Sequence, residues 1–271
     1  MQENENKETN VKATIDAVTG LVTAIPIYQD TLQPSAKQIG KSLETVTKTV
    51  NIALAPIKAL VWGYEKIEEY ITKRVSEKLK NVPEENIITP PPSIAGPAVE
   101  ALRFSGDDIN LRELYANLLA AAMDNRTTDL VHPGYVEIIK NLASDEALLL
   151  QAFISKIQFP VIDIIHVLPD NKGELISYSN FSHIHKLVNL KNPILTSTYL
   201  DNICRLGLAE IPAGRYIIRD GIYKPLETDI SLKAIKLEIE NQNGTVKFEQ
   251  KMIRLTSFGQ QFINNVVIEK Q

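Results

Sequence analysis

The sequence is poor in the residues that most reaction chemistry and most extracellular scaffolds need. It holds one cysteine, Cys204, one tryptophan, Trp62, and four histidines, and aromatic residues make up only 6% of it. A single thiol cannot form an intrachain disulfide, which fits a reducing cytoplasm. The opening residues, MQENENKETN, have no apolar stretch, so no secretory leader is expected. No window offers the ~18 or more uninterrupted apolar residues of a spanning helix. The nearest, Val50 to Tyr64, is interrupted by Pro56 and Lys58. There is no phosphate-binding G-x-x-x-x-G-K-[ST], no G-x-G-x-x-G, no G-x-S-x-G and no H-E-x-x-H. The formal net charge of −4 argues against a generic nucleic-acid binder, which would be basic.

What is present is a globular composition, with 271 residues, 44% hydrophobic and 23% charged. That length suits one large domain or two ordinary ones. Charge is unevenly distributed. Residues 37–80 carry nine basic and five acidic side chains, whereas 81–142 carry four and nine. Apolar residues run at alternating steps of three and four from Ile39 through Val46, Val50, Ile57, Val61, Ile67 and Ile71 to Leu79, predicting a long amphipathic helix with a kink at Pro56. Burial against the rest of a helical domain is the favoured use of that stripe. A rival use is docking on a membrane surface or a partner through Lys58, Trp62 and Tyr64. Residues 1–35 read as a flexible, weakly helical segment.

Further along, Pro90-Pro91-Pro92 is extended and Pro97 sits in the first turn of a helix running to Leu102. Asp108 caps a helix over Leu111–Met123, whose broad apolar arc and Ala120-Ala121-Ala122 mark it as core. His132-Pro133-Gly134 breaks the chain before a helix carrying Tyr135, Ile138 and Ile139. Ser144 is expected to cap a helix over Asp145–Phe159 that Pro160 closes. Val161–Leu168 reads as strand or short buried helix.

From there the pattern is a short helix over Ser179–Leu190, then a helix opened by Pro193 and ended by Gly207. A short strand covers Leu208–Ile211. Strand-like stretches follow at Arg215–Arg219 and Lys247–Leu255, and a closing helix covers Thr256–Val267. This order, with L-T-x-x-G-x-x-F at Leu255–Phe262, resembles a winged helix-turn-helix module. The resemblance implies a recognition helix presenting Asn192, Thr196, Thr198, Asp201, Asn202 and Arg205, and a wing with Arg215, Arg219 and Lys224. Candidate nucleic-acid contacts are therefore Thr196, Thr198, Asn202, Arg205, Arg215 and Arg219. Phosphate binding needs several cations. The C-terminal half is neutral in sum, so protein contact or dimerisation is favoured over DNA.

Few residues invite chemistry. His183-x-His185 would share a face on a strand and could bind a metal. In a helical context they diverge, and satisfied or exposed histidines are expected. Asp107-Asp108 suits a helix start, and Cys204 suits a buried, inert thiol. No catalytic residue, metal or cofactor is expected.

Three blocks in fixed order carry a family resemblance: TPPP-x-IAGPA-x-EAL, LRELYANLLA-x-AMD and HP-x-[YF]-VEIIK-x-L-x-x-DEA. Together they resemble the abortive infection alpha family of bacteria, over about Ile39 to Asn264. The resemblance implies resistance to phage and supplies no catalytic pattern. The expectation is a mainly α protein with a C-terminal α+β winged-helix-like domain. A helical domain would cover 36–142 and the winged-helix-like domain 143–271. The chain would act in the cytoplasm as a non-enzymatic interaction or sensor module with a phage or host protein partner. A DNA-binding regulator and a membrane-associated effector on the inner membrane face are the alternatives, and homo-oligomer formation stays open.

Overall fold

A computed structural model describes residues 64–270. The N-terminal segment 1–35 and most of the long basic stripe, with Lys58 and Trp62, lie outside the described residues. Tyr64 opens the described part, and its side chain is not among those described.

The first half is helical. Helix α1 (Tyr64–Leu79) buries Ile71, Val75 and Leu79, four residues apart on one face. Helix α2 (Pro92–Ser105) starts five residues earlier than the sequence predicts. Pro92 takes the first helical position, where its missing N–H would have had no partner anyway. Pro97 then lies inside the helix with its ring exposed, at the loss of one backbone bond. Helix α3 (Ile109–Ala122) is the central element. The Asp108 carboxylate caps it, accepting from the Asn110 and Leu111 N–H groups. Leu114, Tyr115, Leu118 and Leu119 are buried, and Ala116, Ala120 and Ala121 let its neighbours approach closely. Helix α4 (Tyr135–Lys140) follows the His132-Pro133-Gly134 break as expected.

Helix α5 (Ser144–Ser155) has Ala143, not Ser144, at its N-cap. The Glu146 carboxylate accepts the Ala143 N–H at 2.7 Å, which frees the Ser144 hydroxyl to donate to Asp108. The helix ends at Ser155, ahead of the expected Phe159. Strand pairing overrides the helical pattern there, and Pro160 lies within a strand opposite Met252.

The second half is an antiparallel four-stranded sheet in the order β2-β1-β4-β3. Its strands are β1 (Gln158–Val167), β2 (Glu174–Phe181), β3 (Ala209–Glu210) and β4 (Thr245–Leu255). The β1–β4 ladder is continuous from Gln158↔Arg254 to Val167↔Thr245. Phe159 and Val161 join the main core with the helices, while Ile162 and Ile164 join a second core. That second core is closed by the insertion between β3 and β4, through Tyr223, Leu226, Leu232 and Ile239. The insertion carries helices α7 (Lys224–Glu227) and α8 (Lys233–Asn241). The architecture is a helical first part followed by a curled antiparallel sheet with helices, α+β in class.

Two sequence expectations fail here. Ser179–Leu190 is not a helix: β2 runs to Phe181 and a single 3-10 turn covers Ile184–Leu187. Asn180 takes φ +57°, its N–H donates to the buried Asp163 carboxylate, and the β1–β2 pairing shifts register nearby. Arg215–Arg219 is not a strand either. β1 already occupies one edge of β4. On the other, the Tyr223 hydroxyl donates to the Lys251 carbonyl and accepts from the Ile217 N–H, both at 2.8 Å. One phenol oxygen thus stands where a ladder would have formed, and the wing hairpin does not close.

Between β2 and β3 lies helix α6 (Thr196–Arg205), ended by Gly207 at φ +74°. After β4, helix α9 (Ser257–Phe262) continues into one π-turn, Ile263–Val267. The tail beyond it returns to the helical part and is pinned by both signs of charge. Glu269 reaches the buried Lys78 at 3.1 Å, and Lys78 also meets Glu113. Lys270 reaches the fully buried Asp124 at 2.8 Å, and Asp124 is also held by the Arg126 guanidinium. Two desolvated charges are thereby neutralised by the last described residues.

Candidate functional site

Helix α6 would be the reading helix of a winged-helix module, so its faces decide what it can contact. Tyr199, Leu200 and Ile203 are buried. The buried Asp145 carboxylate collects the Lys191 N–H, the Asn192 N–H and the Tyr199 hydroxyl at 2.7–3.1 Å. Burial alone would raise the pKa of Asp145, but these donors outweigh it and the net shift is downward. Thr196 is buried, and its hydroxyl donates to the Pro193 carbonyl. The Asn202 amide donates to Glu146 at 2.8 Å and to the Asn141 carbonyl at 3.0 Å, while its oxygen accepts from Arg205. Glu146 is shifted upward, burial prevailing over the Ala143 and Asn202 donors. Asn180 donates to Asp201 at 2.6 Å.

Of the six candidate nucleic-acid contacts, Thr196 and Asn202 are therefore committed to internal bonds. Thr198 and Arg205 are exposed on α6, and Arg215 and Arg219 are exposed on the stretch after β3.

That stretch forms one wall of an open groove of about 660 Å³. The facing wall is the turn between α5 and β1, with Ile154, Lys156 and Ile157, above a floor that includes Phe159 and Pro160. Ile217, Ile218, Arg219 and Ile222 complete it. Ile218 is 92% exposed, Ile157 61% and Ile154 49%. Lys156 and Arg219 are exposed, and no carboxylate lines the groove. Its shape follows from two local causes. The helix-to-strand change at Ser155–Gln158 projects Ile157 outward, and the Tyr223 hydroxyl holds Ile217 off the sheet edge. In sequence Arg215–Arg219 is strand-like, and the structure leaves it outside every strand. The usable signal was an apolar run with no assured partner strand.

The histidine pair sits at the turn after β2. His183 Nε2 lies 2.6 Å from Asp229, which also takes the Lys186 ammonium at 3.2 Å. The Ser231 hydroxyl donates to the other Asp229 oxygen. Donors from Ser231 lead in holding the Asp229 carboxyl far below its usual range, with His183 and Lys186 adding to them. The His185 Nδ1–H donates to the Ser182 carbonyl at 3.0 Å, and burial lowers the ring's pKa. The two rings meet edge to face at 6.1 Å. The cluster ties the turn after β2 to the insertion. Among the described residues, no group of three or more His, Cys, Asp or Glu side chains is placed to hold a metal ion. Cys204 is half-buried, and burial pushes its thiol up to about 11.

An α+β chain with a helical first half, a curled sheet and an open apolar groove is thus the class that the geometry defines. Residues 63–266 match the model of the abortive infection alpha family, and the chain belongs to that family. Membership suggests a role in phage defence. No curated protein matches the chain. One solved structure is similar over part of it: an uncharacterised protein from the hydrocarbon-degrading marine bacterium Alcanivorax borkumensis SK2. That protein is 15% identical, with a TM-score of 0.36, and the match covers 53% of this chain and 96% of the other. No helix among the described residues is long and apolar enough to cross a membrane.

Proposed function

We propose that this chain acts in phage defence as a non-enzymatic interaction module whose target is a protein of phage or host origin. The open groove carries this reading. Three exposed isoleucines line it, and exposed apolar surface of this kind is a mark of contact sites. Family membership supports the defence role. The test is a phage challenge of cells carrying the wild type or Ile218→Asp. Loss of protection with an unchanged melting temperature is expected. Full protection by the variant would remove the groove from the defence role.

A DNA-binding regulator of winged-helix type is the second reading. It is favoured by Arg215 and Arg219, which are exposed. Against it stand Thr196 and Asn202, spent on internal bonds. Duplex binding in a gel shift that weakens steeply with salt would support it. Absence of binding at low salt would end it.

A further inference from the structure

We infer that the groove between the α5–β1 turn and residues 217–222 takes an acidic, apolar peptide segment of a protein partner. This deepens the interaction reading above and rests on it. Enclosure argues first. A small molecule gains affinity by being surrounded, yet the groove's rim is made of Ile218 and Ile157, which are 92% and 61% exposed. Rims of that kind are covered by a partner's surface rather than closed over a ligand.

Charge argues next. Lys156 and Arg219 belong to the groove lining, and neither has an ion pair among the described residues. With no carboxylate in the lining, the groove is an apolar trough with two unanswered cations. A carboxylate on the partner would answer them, and Arg219 can do so with two parallel N–H bonds. A second copy of this chain is a poorer match than a dedicated acidic segment, since the cations would have to find a complementary trough-filling strand on it.

Residues 215–219 lie outside every strand; the Ile217 N–H is spent on the Tyr223 hydroxyl and the Arg219 N–H on the Ile217 carbonyl of the same stretch. The intervening Ile218 projects its side chain outward. A segment lying along this wall would set apolar side chains against Ile218 and Ile157 and carboxylates toward Lys156 and Arg219.

The experiment is selection of a displayed random-peptide library on the full chain, with counter-selection on Ile218→Asp. Ile218 and both cations are exposed, so the variants should fold; melting curves check this. Enriched peptides should combine apolar residues with aspartate or glutamate. The double variant K156E/R219E should weaken them at least tenfold, and exchanging their acids for lysines should restore binding to that variant. Enrichment of uncharged or basic peptides, or indifference to K156E/R219E, overturns the proposal while leaving the groove a contact site. Self-association that depends on Ile218, seen by analytical ultracentrifugation, would place a second copy there and also overturn it. No enrichment over the counter-selected variant overturns the proposal on its own. Only unimpaired phage protection by Ile218→Asp overturns the interaction reading itself.

Discussion

Gly259 is where the L-T-x-x-G-x-x-F motif is most exposed to test. A Cβ built on it would lie 1.8 Å from the Leu208 carbonyl oxygen and 2.6 Å from its carbon, both backbone atoms that cannot swing aside. Gly259→Ala therefore has to push the start of α9 away from the residue before β3 by roughly the difference from an ordinary contact of about 3.4 Å. Three bonds depend on that approach. The Thr256 N–H donates to Leu208, the Thr256 hydroxyl donates to Gly207 at 2.6 Å, and the Gly259 N–H donates to the Thr256 oxygen at 2.9 Å. Overpacking costs about 1–3 kcal/mol, and each weakened bond about 0.5–1.5 kcal/mol. The better helix propensity of alanine offsets up to about 1 kcal/mol. The net loss should be about 3 kcal/mol, lowering the melting temperature by roughly 6–12 °C for a chain of this size. Thermal unfolding followed by circular dichroism reads it, with Gly96→Ala as control. Gly96 lies inside α2 with nothing within 4 Å of its added Cβ, so that change should raise stability slightly. A Gly259→Ala protein as stable as wild type would refute the close approach.

Other perturbations follow from the buried charges. Burial would raise the Glu113 carboxyl, but donors from Arg74, Tyr70 and Lys78 reverse this and hold it at about 2, against 4.5 ordinarily. A depressed carboxylate pKa contributes stability above about pH 4.5 that is lost as pH falls toward 2. Urea unfolding at pH 5 and pH 3 should show wild type losing about 2 kcal/mol more than Glu113→Gln; equal losses would show that the network does not hold the carboxylate. Asp124→Asn removes the negative charge and one of the acceptor oxygens that Lys270 and Arg126 share, and should cost about 2–3 kcal/mol in urea unfolding; no loss would mean that the tail is not pinned there. Cys204, with its thiol raised to about 11 by burial first and by the nearby Asp201 and Glu210 charges, should resist iodoacetamide at pH 8 in the native state and react on denaturation; fast native alkylation would contradict its burial.

The helical part could be read from the chain because its signals are local. Asp108 before an apolar arc, the His132-Pro133-Gly134 break and Gly207 at positive φ each act within a turn of the helix they delimit. The sheet could not be read so well, since each strand owes its state to a partner far along the chain. Gln158 to Pro160 looked like the end of a helix until Arg254 to Met252 paired with it. Ser179–Leu190 looked helical because the register shift at Asn180 is set by the buried Asp163 on β1. The groove was hidden for the same reason, being built from two stretches with β2, α6 and β3 between them in the chain. The deciding atom, the Tyr223 hydroxyl, carries no signature in a list of residues.

That hydroxyl also bears on why the proposed contact surface lies beside α6 and not on it. Along α6, Tyr199 and Asn202 are consumed in fixing the helix to α5, Thr196 is spent on the Pro193 carbonyl, and Asp201 is bonded to the bulge in β2. A helix so tied has few polar groups left for a base edge, and specificity in a groove of DNA depends on such groups. Residues 215–219 are in the opposite position. Had they zipped onto β4, the ladder would have drawn in the backbone polar groups of the stretch. With Tyr223 occupying the Lys251 carbonyl, Ile217 turns toward the second core and Ile218 is left in solvent. Leaving an isoleucine side chain exposed forgoes roughly 1.5–3 kcal/mol that burial would contribute. Free energy forgone on folding at Ile218 and Ile157 is still available on association, so this wall has apolar contact to gain from a partner.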